Sequence, residues 1–199
     1  MKDASAVFTE EQRILLRDIE RAFAPVPYPG HENITKVHFA TCGDECKECA
    51  DVRKVFRGKD WRNYLQHPYE LLGYFAPRKP TSKIGRDFLP LLMVQAFHYY
   101  LPLFLAGMII DPREADVMLD GIPSHFDPGP KSASSAKDAE LWEHRNARCA
   151  QLFAAMNEAQ RKAAADALRF IFRKETSDYG IRPSPADAIR NLEAGEIIS

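Results

Sequence analysis

The sequence predicts an all-α protein, an irregular multi-helix bundle of about six to eight helices around a buried central apolar helix pair. Three observations support this prediction. Apolar residues recur at helical spacing in several segments, capping signals precede those segments, and no series of strands alternates with them. The chain has 199 residues, of which 45% are hydrophobic and 28% charged, which suits one packed core. We therefore expect a single helical domain over residues 1–199.

The first helix has clear signals at both ends. Thr9 and Gln12 form a capping box at its start, and apolar residues at helical spacing follow. Prolines at positions 25, 27 and 29, together with Gly30, end the helix and lead into an extended stretch. In that stretch, residues 37–39 favour one short strand that has no obvious pairing partner.

Two shorter helices are predicted next. The first covers residues 44–57 and ends at Gly58, because glycine tolerates the positive φ that commonly follows a helix. Asp60 then caps a short turn that carries Trp61. Pro68 suits the first turn of the second of these helices, since proline lacks an N–H that would be unpaired there in any case.

The central segment, residues 88–110, contains no Asp, Glu, Lys or Arg, and its length is sufficient to cross a bilayer. Gln95, His98 and Pro102 within it, and the lack of a basic cluster on one flank, argue against a membrane span. A buried helix pair broken at Pro102 is the favoured interpretation. A core-facing stripe at helical spacing consists of Phe97, Tyr100, Leu101 and Phe104.

The last third of the chain adds further helices. A brief one starts at Pro112, and residues 121–136, rich in Pro, Gly and Ser, predict a flexible loop suited to a lid or to proteolytic cleavage. Two long helices follow, the second opened by a capping box of Asn157 and Gln160. The last helix ends at Gly195.

Charge and cysteine usage indicate a cytoplasmic protein without nucleic-acid or membrane partners. The formal net charge of −1 provides no general attraction to nucleic acid or to an anionic membrane surface. Residues 1–11 are polar and lack the pattern of a secretory signal. A basic and aromatic mixture at positions 53–62 is diluted by Asp51 and Asp60, and a solvated helix rim explains it equally well.

A cluster of cysteines is the sharpest chemical feature. Thiolates and imidazoles suit zinc, which predicts a metal site with the ligands Cys42, Cys46, Cys49 and His38. Cys46 and Cys49 lie one helical turn apart on a shared face. Two alternatives for the fourth ligand are His31 and the distant Cys149. Two other interpretations of the cysteines are buried packing residues and redox-active thiols.

Other catalytic signatures are missing from the sequence. It contains no G-x-S-x-G, phosphate-binding loop, G-x-G-x-x-G or HExxH pattern. His98, beside two tyrosines in the apolar segment, is the histidine best placed for a buried pocket. Its favoured interpretation is a core residue that hydrogen-bonds a carbonyl group.

Several short motifs together resemble a family of small bacterial proteins of unassigned activity. They are the early Glu-Gln-Arg helix leading to Phe23, Pro27-Tyr28-Pro29-Gly30, Cys46-Lys47-Glu48-Cys49, Phe56-Arg57-Gly58-Lys59-Asp60-Trp61, Ala96-Phe97-His98-Tyr99-Tyr100-Leu101-Pro102 and the late Gln160-Arg161 helix ending in Leu168, Phe170 and Ile171. The resemblance spans most of the chain. It implies an all-helical bacterial domain and no particular mechanism.

These observations lead to two functional hypotheses. The preferred one is a non-enzymatic binding or regulatory protein that acts through protein–protein contact, as immunity proteins do. The alternative is a zinc-binding or redox-sensing protein, or an enzyme, centred on Cys42, Cys46 and Cys49. A tight protein partner would favour the first hypothesis, and bound metal would favour the second.

Overall fold

The computed structural model describes residues 8–35, 46–73, 88–131, 135–174 and 185–198. Within these ranges the regular structure is helical and contains no strand, which confirms the all-α prediction. Thr35 and Leu92 form an isolated antiparallel bridge. The predicted strand at 37–39 lies outside the described residues. The helices are α1 Glu10–Phe23, α2 Lys47–Phe56, α3 Tyr69–Leu72, α4 Val94–Ile110, α5 Pro112–Ser124, α6 Ala136–Ala155, α7 Glu158–Lys174 and α8 Pro185–Ala194, with short 3₁₀ helices at Trp61–Tyr64 and Leu89–Leu91.

Helix α4 is the centre of the bundle. Residues 96–109 are all buried, and the helix contacts α1, α3, α5, α6 and α7. A helix that is apolar around its whole circumference must be covered on every side, which explains why so many neighbours surround it. In the part of the chain that the structure describes, no helix combines the length and apolar character needed to cross a bilayer.

The predicted break at Pro102 is wrong. Pro102 lies inside α4, and the central element is one continuous helix preceded by the short 3₁₀ helix Leu89–Leu91. A proline inside a helix removes one backbone hydrogen bond and costs about 3 kcal/mol. Burying several large apolar side chains contributes about 1.5–3 kcal/mol each, so the burial on both sides of Pro102 outweighs that cost.

The capping signals in the sequence are confirmed at three helix ends. In α1, the Thr9 hydroxyl accepts from the Gln12 N–H, and the Gln12 side chain accepts from the Thr9 N–H. Asn157 and Gln160 make the same reciprocal pair at the start of α7, at 2.9 and 3.0 Å. Gly195, with φ of +78°, follows the last residue of α8.

The first half of the loop predicted over residues 121–136 is helical or buried in the structure. Residues 121–124 are the last turn of α5, and residues 125–128 are buried. Ile122 and Phe126 are fully buried and hold this segment against the core, although its Pro, Gly and Ser content is typical of an exposed loop. Further on, the Trp142 indole donates to the Gly129 carbonyl at 2.9 Å. Residues 132–134 lie outside the described part of the chain.

Two motifs of the sequence pack against each other in the fold. The Tyr100 hydroxyl lies 2.6 Å from the Phe56 carbonyl oxygen and 2.9 Å from that of Lys59. It therefore provides a hydrogen-bond donor for the backbone carbonyl groups at the end of α2. The Asp60 carboxylate accepts from the Arg62 N–H at 3.0 Å and caps the 3₁₀ helix, as expected. Trp61 is fully buried beneath this turn. The turn therefore has an architectural role, and its tryptophan is not available for stacking on a nucleic-acid base.

Candidate functional site

The structure describes only part of the predicted metal site. Cys46 is the N-cap residue of α2, and Cys49 is buried one turn later on the same helix. Cys42 and His38 lie outside the described residues. Among the described residues, no group of three or more His, Cys, Asp or Glu side chains is arranged to hold a metal ion. The four-ligand zinc site therefore stays a prediction.

The two alternative ligands lie elsewhere. His31 accepts a hydrogen bond from the Arg57 side chain, and Arg57 caps the end of α2 opposite to Cys46. Cys149 is buried in α6, with its sulfur 3.8 Å from the Ser124 carbonyl oxygen. Burial raises the pKa of the Cys149 thiol to about 12, so this thiol stays protonated at neutral pH and is a poor metal ligand or nucleophile.

Elemental analysis tests the zinc prediction directly. If Cys42, Cys46, Cys49 and His38 bind zinc, protein purified without added metal is expected to carry about one zinc per chain. The substitution Cys46→Ser should lose that zinc and lower the melting temperature, because a structural zinc stabilises the fold to which it binds. Cys149→Ser is the matched control for removing a thiol, and it should retain the metal. A metal-free wild-type protein would contradict the prediction.

A cleft of about 640 Å³ lies at the start of α4. One wall is the segment 26–29, which follows α1, and the floor is formed by residues at the start of α4 that include His98. The other wall is one face of α6, made of His144, Ala147, Arg148, Gln151 and Ala155. An adjoining recess of about 340 Å³ shares Val26, Pro27, His98 and Ala155 with the cleft and extends it towards Gln160.

The wall at 26–29 is held in place from several sides. The Tyr28 hydroxyl accepts from the Gly58 N–H at 2.8 Å, and the Tyr28 ring meets the Tyr99 ring edge-on at 5.5 Å. The Asn33 side chain donates to the Pro29 carbonyl at 2.8 Å. Proline also restricts this backbone in the unfolded chain, so little conformational entropy is lost in fixing it. The cleft is therefore largely preformed.

His98 is part of a buried network whose proton positions follow from its partners. The Gln160 side chain faces the Asn157 N–H at 3.0 Å with one end and the Ala22 carbonyl at 3.3 Å with the other. A backbone N–H can only donate and a carbonyl can only accept, which fixes the Gln160 oxygen and nitrogen. The same oxygen lies 3.2 Å from His98 Nε2, so Nε2 must carry the proton.

This arrangement leaves the second ring nitrogen of His98 as an acceptor. Burial lowers the pKa of the imidazole below its ordinary value, so the ring is neutral at pH 7. Nδ1 then has a free lone pair, and it makes no hydrogen bond to any residue that the structure describes. The sequence predicted that His98 hydrogen-bonds a carbonyl group. The structure confirms this, and the carbonyl belongs to the Gln160 side chain. His98 also lines the cleft, where a bound group can reach it.

Arg148 provides the charge of the cleft. Its Nε donates to His125 Nδ1 at 3.2 Å, and its guanidinium lies 5.9 Å from the centre of the Phe97 ring. Nη2 is buried and has no hydrogen-bond partner in the described part of the chain. Burial lowers the pKa of this guanidinium, which nevertheless stays protonated at any ordinary pH. Of the described residues that line the cleft, none is Asp or Glu.

Sequence reasoning singled out His98 and missed the α6 face. Positions 144, 147, 148, 151 and 155 follow helical spacing, so one side of α6 combines three polar residues with two alanines. That pattern shows a shared face. It does not show that the segment 26–29 lies opposite, because the two segments are far apart in the chain. In comparisons with protein-family models, with curated proteins and with solved structures, nothing matched this chain.

Proposed function

We propose that this chain is a non-enzymatic binding protein of the cytoplasm, which acts by holding a segment of a partner protein in the cleft between residues 26–29 and α6. The observation that carries the proposal is the preformed cleft itself, about 640 Å³ in volume and open at the surface. Ligand sites typically occupy about 300–1,000 Å³, so this volume suits a few side chains of a partner.

The chemistry of the lining supports binding over catalysis. Val26, Met93 and Val94 provide apolar surface, and Gln95 and Gln151 provide hydrogen-bonding groups around it. Such a mixture of an apolar floor and a few oriented polar groups is typical of recognition sites. The Nε2 proton of His98 is already donated to Gln160, and the described cleft residues include no Ser, Cys, Asp or Glu for it to activate.

Filling the cleft tests the proposal. Ala147 is exposed on α6 and lines the cleft, so the indole of Ala147→Trp should occupy the space of a bound segment. We expect wild-type protein to retain a defined partner from an extract of its own cells, and Ala147→Trp to lose it. The measurement is quantitative mass spectrometry of the retained proteins, with circular dichroism to show that the variant is folded.

The same helix offers a matched control. Ala150 is exposed on α6 and does not line the cleft, so Ala150→Trp adds the same side chain on another face of that helix. This variant should retain the partner as the wild type does. Equal retention by all three proteins, or no specific partner for the wild type, would count against the proposed function.

A further inference from the structure

The cleft carries the positive charge of Arg148, which no described residue of its lining balances. Arg148 is partly buried, and within the described structure neither an ion pair nor a hydrogen bond satisfies Nη2. Buried charges in proteins are normally paired, since a desolvated charge without a partner costs free energy. His125 accepts one hydrogen bond from this guanidinium and contributes no negative charge. None of the described residues that line the cleft supplies a counter-charge.

We infer that the cleft recognises a carboxylate joined to an apolar group, an Asp or Glu side chain beside an apolar residue on the partner segment, with Arg148 as the residue that binds the carboxylate. This inference rests on the proposed function and names the chemistry of the bound segment. A guanidinium binds a carboxylate through parallel N–H···O bonds, and the Arg148 side chain is one of those that line the cleft. The apolar group then lies on Val26, Met93 and Val94.

The remaining polar groups of the cleft fit an acidic segment of polypeptide. His98 Nδ1 accepts a hydrogen bond, as from a backbone N–H of the segment, whereas Gln95 and Gln151 have both donors and acceptors. His144, exposed on the same face of α6, adds no negative charge. No described cleft residue repels an acid, and Arg148 disfavours a basic segment in the same position.

Two small probes of nearly the same shape isolate the role of charge. The anion 4-phenylbutanoate carries a carboxylate, and 4-phenylbutanamide replaces it with a neutral amide. We expect the full-length protein to bind the carboxylate about tenfold more tightly, because a charged hydrogen bond contributes more than a neutral one. Shifts of the Gln95 and Gln151 side-chain amide signals in NMR titrations at millimolar probe report binding within the cleft. Equal affinities, or no shift with either probe, would overturn the inference.

A substitution that leaves Arg148 intact provides the second test. Gln151 is three residues after Arg148 on α6, so the carboxylate of Gln151→Glu should pair with the guanidinium and displace the probe. Ala150→Glu makes the same change in net charge on another face of the helix and should bind 4-phenylbutanoate as the wild type does. Wild-type binding by Gln151→Glu would contradict the assignment to Arg148.

The partner assay separates this inference from the proposed function. We expect Gln151→Glu to lose the partner that Ala147→Trp also loses. If only Ala147→Trp loses it, the cleft binds a partner and the acidic recognition is wrong. If neither variant loses it, the proposed function fails. Discrimination between the probes would in that case indicate a free organic acid as the ligand, which overturns the assignment to a partner segment.

Discussion

Replacing either Leu103 or Leu105 with alanine is expected to lower the free energy of unfolding by about 3 kcal/mol, because each change deletes a buried side chain and leaves a cavity. Both residues are fully buried in α4. Two positions along a helix correspond to a rotation of about 200°, so these side chains lie on nearly opposite sides of α4. In an ordinary amphipathic helix, truncating a side chain on the buried side destabilises the protein, whereas truncation on the exposed side has little effect.

Urea denaturation followed by circular dichroism measures both losses. Leu141→Ala is the control of matched residue type, since Leu141 lies in α6 with 49% of its surface exposed. Its truncation should change the stability by less than about 0.5 kcal/mol. If Leu103→Ala or Leu105→Ala were as mild as the control, one side of α4 would not be covered by the protein, and the central position of this helix would be wrong.

Replacing Gln160 with alanine is expected to cost about 3 kcal/mol, because buried polar groups lose their partners at once. The Gln160 side chain satisfies the Asn157 N–H, the His98 Nε2–H and the Ala22 carbonyl, and only 4% of its surface is exposed. The loss should appear as a lower urea midpoint with an unchanged slope, which is the signature of a change in stability alone.

Gln12→Ala is a matched control for Gln160→Ala. Gln12 has the same position in the capping box of α1, where it accepts from the Thr9 N–H and also donates to the Ile109 carbonyl at 2.8 Å. Gln12 is only partly buried, so water can replace its bonds, and we expect its loss to cost about 1 kcal/mol. Similar losses for the two variants would mean that Gln160 acts as a helix cap alone and that its network with His98 contributes little.

The helical class, most helix ends and the burial of residues 96–109 follow from local signals in the sequence. Thr9 with Gln12 and Asn157 with Gln160 determine their helix starts because the partners are only three residues apart. Gly58 and Gly195 mark helix ends because both adopt the positive φ that glycine tolerates. The length and uncharged character of the central segment likewise predict burial wherever its neighbours come from.

Three features depend on the tertiary structure alone: the helical conformation at Pro102, the packing of residues 121–128 against the core, and the position of the cleft. Pro102 is a helix breaker by local preference, but packing on every side of α4 supplies more free energy than the missing hydrogen bond costs. The cleft combines the segment 26–29, the start of α4 and one face of α6, which are distant in the chain and meet only through packing. Whether Arg148 is paired with a carboxylate depends on which distant groups surround it, and spacing along the sequence carries no information about that.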